Sequence, residues 1–292
     1  MAATPSISAT LVPAITTERI TLPLHCWSGH ADDRQPVALE VQRIHGDAQG
    51  SSARPVMVFL HEGLGSVSMW ASREGAWPQA VCQAAGCAGV VFSRRGYGQS
   101  DAVPDVRGAG RLPPDYMHRE AWGVLPALLQ ALGIARPLLV GHSDGGTIAL
   151  LHASRHAVAG CVVMAPHVIV EDVSIASIAQ AREAYLSGDL RARLSRHHAD
   201  VDGAFWQWND VWLSDAFRSF DIRSDCRRIS APVLAIQGRD DPYGTLRQVH
   251  EIAPTQGTLD LEVIDHCGHS PHKDHPQRVA ERIARFAEGC LA

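Results

Sequence analysis

No C-x-x-C pair occurs among the seven cysteines of this 292-residue chain (Cys26, Cys82, Cys87, Cys161, Cys226, Cys267 and Cys290), and seven is odd. We read them as reduced, mostly buried thiols of a cytoplasmic protein, which excludes a disulfide scaffold and a cysteine zinc site. A basic excess is missing as well. Lys and Arg total 26 against 31 Asp and Glu, a net charge of -5, and no block of like charges stands out. No overall field therefore draws the chain to nucleic acid or an anionic membrane. No stretch approaches the roughly 18 uninterrupted apolar residues of a membrane span. Residues 1–17 are small and polar, without the basic start and apolar block of a secretory signal. Internal repeats and low-complexity blocks are also missing. The partner this leaves is a small-molecule substrate, while the oligomeric state stays open and admits a homo-oligomer.

What is present is globular: 46% hydrophobic and 20% charged residues. Continuous apolar runs of strand length recur at 56–60 (VMVFL), 89–92 (GVVF), 137–140 (PLLV), 161–165 (CVVMA), 233–237 (VLAIQ) and 261–264 (LEVI). Such runs mark strands covered on both faces, as in a parallel sheet. Residues 19–24 and 37–43 alternate more and are expected to form an antiparallel edge hairpin. Helical patterns fill the gaps at 74–85, 116–132, 147–156 and 277–287. This alternation predicts an α/β fold with a mostly parallel central sheet flanked by helices. Residues 167–230 break it: no core strand, three helical patterns at 175–186, 189–198 and 204–217, and an aromatic run, FWQWNDVWLSDAF. We expect a core domain from 1–166 and 231–292, with 167–230 inserted as a helical lid.

The strongest chemical signal is LLVGHSDGGTIALLHA, an apolar strand, then Gly141-His142-Ser143-Asp144-Gly145, then a helix. This is G-x-S-x-G in the context it requires. A nucleophile on so sharp a turn tolerates little bulk two residues to either side. Gly141 and Gly145 therefore select Ser143; an Asp144 nucleophile would put His142 in the crowded place. A serine hydroxyl needs a base, and the base needs an orienting acid. Downstream, 233–245 supplies a strand, a turn and Asp240-Asp241, and 261–276 supplies a strand followed by Gly268-His269 before the last helix. A metal held by His269, His272 and His275 is disfavoured by the breaks at Pro271 and Pro276, and no cofactor is called for. Backbone N–H donors for an oxyanion are expected from Asp144 and from the glycine-bearing loop at 61–66.

These motifs resemble the α/β-hydrolase superfamily in its lid-bearing esterase, lipase and C–C hydrolase branch, over residues 37–286. VFLHEGLGSVSMW is similar to the family's strand and oxyanion loop, which assigns the second donor to Gly63. FSRRGYGQSD at 92–101 resembles its D-x-R-G-x-G-x-S turn, with Ser93 in the place of Asp. The resemblance also implies an acid three residues after Gly238, hence Asp241 rather than Asp240, with His269 as base. Glu62 departs from the family's usual Gly. We expect it to pair with Arg94 or Arg95, or else to meet a polar group of the substrate. His167, Trp206, Trp208 and Trp212 are candidate pocket residues. The activity implied is a serine hydrolase acting on a small or medium apolar or aromatic carboxylic ester, thioester or lactone through an acyl-enzyme. A C–C hydrolase, lyase or cofactor-free oxygenase on the same parts, or a slowly turning-over hormone-receptor-like binder, remains an alternative.

Overall fold

The computed structural model describes residues 14–28, 34–46, 55–72 and 75–290. Residues 1–13, which hold most of the segment read for a leader, and Glu74, the expected start of a helix, lie outside them. Eight strands form one sheet: β1 (Ile15–Pro23), β2 (Pro36–Ile44), β3 (Met57–Leu60), β4 (Gly89–Phe92), β5 (Leu138–His142), β6 (Gly160–Met164), β7 (Val233–Gly238) and β8 (Leu259–Ile264). Their spatial order is β1-β2-β4-β3-β5-β6-β7-β8. β2 runs antiparallel to both of its neighbours, and every other pairing is parallel. Both the edge hairpin and the parallel centre are as the apolar patterns predict.

The reason those patterns are continuous is visible in the packing. Successive side chains of a strand point to opposite faces. Val58, Leu60, Val90, Phe92 and Leu139 belong to the hydrophobic core on one face, and Met57, Phe59, Val91, Leu138 and Val140 to the core on the other. The first core is covered by residues 116–132 and by α3 (Asp144–Ala153); the second by α1 (Trp77–Ala85) and α7 (Pro276–Gly289). Helix α2 spans 116–132 as expected, but not as a uniform α-helix. Tyr116–Arg119 and Leu125–Leu132 flank a π-helical turn at Glu120–Val124. The exposed edge strand β8 carries Asp260 and Glu262, which pair with Arg282 and Arg278 of α7, a charged edge that discourages further strand pairing. No helix among the described residues is long and apolar enough to cross a membrane.

The segment between β6 and β7 is helical: α4 (Asp172–Ser187), α5 (Leu190–Leu194) and α6 (Val201–Trp212). The sequence pattern at 204–217 reads as one helix. It is instead the end of α6 followed, after a break, by a 3-10 turn at Asp215–Ser219. Asp200 caps α6 by accepting the Gly203 N–H at 2.9 Å. The segment is fastened to the core by polar contacts. His198 accepts the Gly98 N–H and donates to the Leu64 carbonyl, both at 3.0 Å.

Candidate active site

At the C-terminal end of β5 the chain turns through Ser143, with φ 52° and ψ -120°, and enters α3 at once. A positive φ is costly for a serine, and the surrounding backbone enforces it. A Cβ on Gly145 would lie 2.1 Å from the Leu60 carbonyl oxygen of β3, and one on Gly141 2.3 Å from the Gly145 oxygen. Only glycine lets strand, turn and helix meet this closely. The Ser143 N–H donates to the Met164 carbonyl of β6 at 2.9 Å, which ties the turn to the neighbouring strand.

The Ser143 hydroxyl donates to His269 Nε2 at 2.9 Å. His269 Nδ1 donates to both oxygens of Asp241, at 3.0 and 2.9 Å. The carboxylate accepts, so the proton sits on Nδ1 and leaves the Nε2 lone pair for the hydroxyl. The Asp241 side chain is 1% exposed. Burial alone would raise its pKa. The hydrogen bond and charge of His269, with the Tyr243 N–H at 2.8 Å, outweigh burial and hold the carboxyl below its ordinary range. Asp240, one residue earlier, is exposed, and its backbone N–H donates to the Cys267 carbonyl.

A cavity of about 230 Å³ opens on Ser143 and His269. Its walls include Glu62, Gly63, Leu64, Asp144, His167, Ile178, Trp208, Trp212 and Tyr243. The Asp144 N–H is at the first position of α3, one of the N–H groups a helix cannot satisfy internally. The Trp208 indole lies so close over Gly63 that a Cβ there would stand 2.1 Å from its Nε1. Trp208 and Trp212 are four residues apart on α6 and share a face. Trp206, two residues from Trp208 and so about 200° around the helix, faces elsewhere. It packs on Tyr185 and Phe205 and lies under the Arg107 guanidinium at 4.0 Å. Of the three candidate tryptophans, Trp208 and Trp212 border the cavity and Trp206 does not.

One further expectation changes. Glu62 does not pair with an arginine: its carboxylate faces His142 Nδ1 at 3.4 Å and Lys273 Nζ at 3.7 Å. Arg94 instead donates to the Glu62 and His61 backbone carbonyls, at 3.0 and 3.2 Å. The Asp144 side chain is buried. Trp212 Nε1 donates to the Tyr116 hydroxyl at 3.1 Å, and that hydroxyl donates to Asp144 Oδ2 at 2.6 Å. Arg94 stands 3.9 Å away. Burial pushes the Asp144 carboxyl up, opposed by Arg94 and Tyr116. Nothing in the sequence pattern pointed to Tyr116, because its partner lies 28 residues away on another helix.

Three buried histidines surround this site, and burial pushes each below its ordinary range: His61, His167, which is held at about 3, and His272. His61 shows the neutral form directly, accepting the Arg94 N–H at Nε2 while Nδ1 donates to the Glu62 carbonyl. A ring whose folded pKa is depressed contributes stability fully above its unfolded value, about 6.5, and loses it as pH falls below that. Between pH 6.5 and 5 each ring is expected to withdraw up to about 2 kcal/mol. Urea unfolding at pH 7.5, 6 and 5 should show a steep loss of stability, and a flat profile would contradict the neutral rings.

A profile of the Alpha/beta hydrolase family matches residues 57–282. A mouse protein, sn-1-specific diacylglycerol lipase ABHD11, is 24% identical over 94% of this chain and 94% of its own length. The 2-succinyl-6-hydroxy-2,4-cyclohexadiene-1-carboxylate synthase of Klebsiella pneumoniae is 26% identical over 81% of this chain and 95% of its own. Among solved structures, a thermophilic esterase from Thermogutta terrifontis superposes with a TM-score of 0.66 at 17% identity, covering 94% of this chain and all of that one. At that identity the likeness concerns the fold. The profile match covers more than half of the sequence and agrees with the sheet order and the strand–serine–helix turn: the chain belongs to the alpha/beta hydrolase family.

Proposed function

We propose that the protein is a cofactor-independent serine hydrolase acting on a small or medium, mostly apolar or aromatic carboxylic ester, thioester or lactone. The observation that carries this reading is the unbroken relay from Ser143 through His269 to Asp241 at the floor of the cavity. In the first half-reaction the Ser143 oxygen bonds to the substrate carbonyl carbon as its proton passes to His269 Nε2. The N–H groups of Gly63 and Asp144 receive the oxyanion. Collapse of the tetrahedral adduct breaks the bond to the leaving group, which takes the proton from His269. A water, deprotonated by the same ring, then releases the acid and restores Ser143.

The size of the cavity supports a compact acyl or alcohol group, and Leu64, Ile178, Trp208 and Trp212 supply an apolar wall. His167 adds a neutral polar edge there. The segment 167–230 acts in this reading as a lid, contributing Ile178, Trp208 and Trp212 to the wall. A panel of p-nitrophenyl esters of increasing acyl length, with matched thioesters and lactones, tests the activity. Rapid multiple turnover with a preference for short or aromatic acyl groups is expected. No turnover on any member would overturn the ester reading.

The tryptophans should divide by the face they occupy. Trp208→Ala is expected to raise KM several-fold and extend the accepted acyl length. Trp206→Ala should leave acyl preference unchanged and lower the melting temperature by a few degrees, through lost stacking and cation–π contact. Equal shifts in specificity for both would contradict the wall assigned here.

A further inference from the structure

His142, the residue before Ser143, has an acceptor at each ring nitrogen. Its Nε2 donates to the backbone carbonyl of His269 at 2.7 Å, and its Nδ1 faces a Glu62 carboxylate oxygen at 3.4 Å. A carbonyl cannot donate, so the proton on Nε2 is fixed. A neutral ring would then turn the lone pair of Nδ1 toward the lone pairs of a carboxylate. The carboxylate is ionised. Burial would raise the Glu62 pKa, but its hydrogen-bonding and charged partners outweigh it and hold it well below the ordinary range; one of them is independent of His142, Lys273, whose Nζ stands 3.7 Å from the other carboxylate oxygen. Lys273 is the only lysine in the chain. Among the described residues His142 also neighbours the rings of His269, at 5.1 Å between centroids, and of His272, at 4.7 Å, and it lies close enough to His167 to interact with it by charge. Burial holds the pKa of His272 well below its ordinary range, as it does that of His167, so neither adds a like charge beside His142.

We propose that His142 is an imidazolium that positions the proton-carrying His269 by its backbone, with Glu62 as its counter-ion. Two grips then hold one residue. Asp241 fixes the ring of His269 by its Nδ1, and His142 fixes the main chain of the same residue. Glu62 takes up the charge, so that the cation under the site is paired and does not oppose protonation of His269 during turnover. The carboxylate that departs from the family's usual glycine thereby has a partner from the serine turn itself. Glu62 folds back over Gly65, where a Cβ would stand 2.5 Å from its Oε2. His142 borders the cavity, and in this reading it acts as a positioning residue through the His269 main chain. The consequence for turnover rests on the serine-nucleophile reading above; the charge state of the ring does not.

Two measurements test it. Histidine-selective ¹⁵N NMR of the intact protein at pH 7.5 is expected to show both nitrogens of His142 protonated, assigned by its loss in His142→Gln. A neutral ring overturns the proposal whatever the enzyme's activity. In the second, a fluorophosphonate labels Ser143 in three proteins. His142→Leu removes the donor to the His269 carbonyl and should slow labelling and kcat by about 10- to 100-fold with little change in KM, since small misplacements of a reacting group have effects of this size. His142→Gln keeps an N–H at the same reach and should recover most of the rate. Equal rates in all three, or equal loss in both variants, would overturn the positioning role. Failure of the unsubstituted protein to label at all would instead count against the serine nucleophile and leave the NMR result standing.

Discussion

Asp241→Asn is expected to lower kcat by up to ~10⁴-fold near neutral pH, the loss that follows when the base is left in the wrong tautomer. The carboxylate accepts two hydrogen bonds' worth of contact from His269 Nδ1, at 3.0 and 2.9 Å. An asparagine in that place can turn its amide N–H₂ toward Nδ1, which then accepts, and the proton moves to Nε2, where the Ser143 hydroxyl needs a lone pair. Gln237 Nε2 donates to Asp241 Oδ2 at 2.7 Å and favours this outcome, since it would keep an amide oxygen on its own side. KM should change little because Asp241 does not line the cavity. Asp240→Asn is the control. Its side chain is exposed, and its substitution should cost less than ~10-fold, in line with surface changes away from special features. Steady-state kinetics of the two variants side by side decide the matter; the reverse ranking would transfer the acid to Asp240.

Ser143→Ala should lose at least ~10³-fold in kcat and all fluorophosphonate labelling, while folding normally. The residual rate would come from the oxyanion donors and from substrate binding, which outlast removal of a nucleophile. The strained φ of 52° is retained or relaxed at little cost, since alanine, like serine, carries a Cβ. Active-site titration and mass spectrometry of the labelled peptide check the assignment. A label that survives in Ser143→Ala would place the nucleophile elsewhere.

Much of this was legible in the sequence because it depends on local physics. Strands buried on both faces have to be apolar throughout, and the runs at 56–60, 89–92 and 161–165 could hardly read otherwise. A serine between glycines at a strand–helix junction declares its own geometry. The three side chains, Ser143 read from its turn and Asp241 and His269 implied by the family resemblance, form a hydrogen-bonded series. What could not be read was the choice among partners brought together by tertiary placement. Glu62 had two arginines within reach of plausible turns, yet the Arg94 guanidinium is taken up by the main chain of the 61–62 segment. The histidine that Glu62 faces lies 80 residues along the chain and is one of the variable positions in the serine motif. Trp206 failed for a different reason. An aromatic cluster reveals that a helix is buried, but only its phase against the core reveals which rings face the cavity. That phase is set by contacts such as Tyr185 with Phe205.

The contact of Gly145 with the Leu60 carbonyl has a consequence for how this protein can change over time. The station of the Ser143 main chain is set by backbone against backbone at Gly141 and Gly145, independently of the apolar side chains of the cavity wall. The wall residues contributed by α6 belong to a segment that leaves the sheet after β6 and returns before β7, at 165–232, without interrupting either strand. Tooling and workpiece holder are therefore separable. The holder can be resized, by new residues on α6 or by a helix of another length, while the cutting edge keeps its alignment. On the proposed activity, change on α6 is expected to alter what the cavity accepts at little cost, whereas any side chain at Gly141 or Gly145 would meet backbone and is expected to displace the serine turn. A laboratory search for new substrates belongs on α6, with the serine turn left untouched.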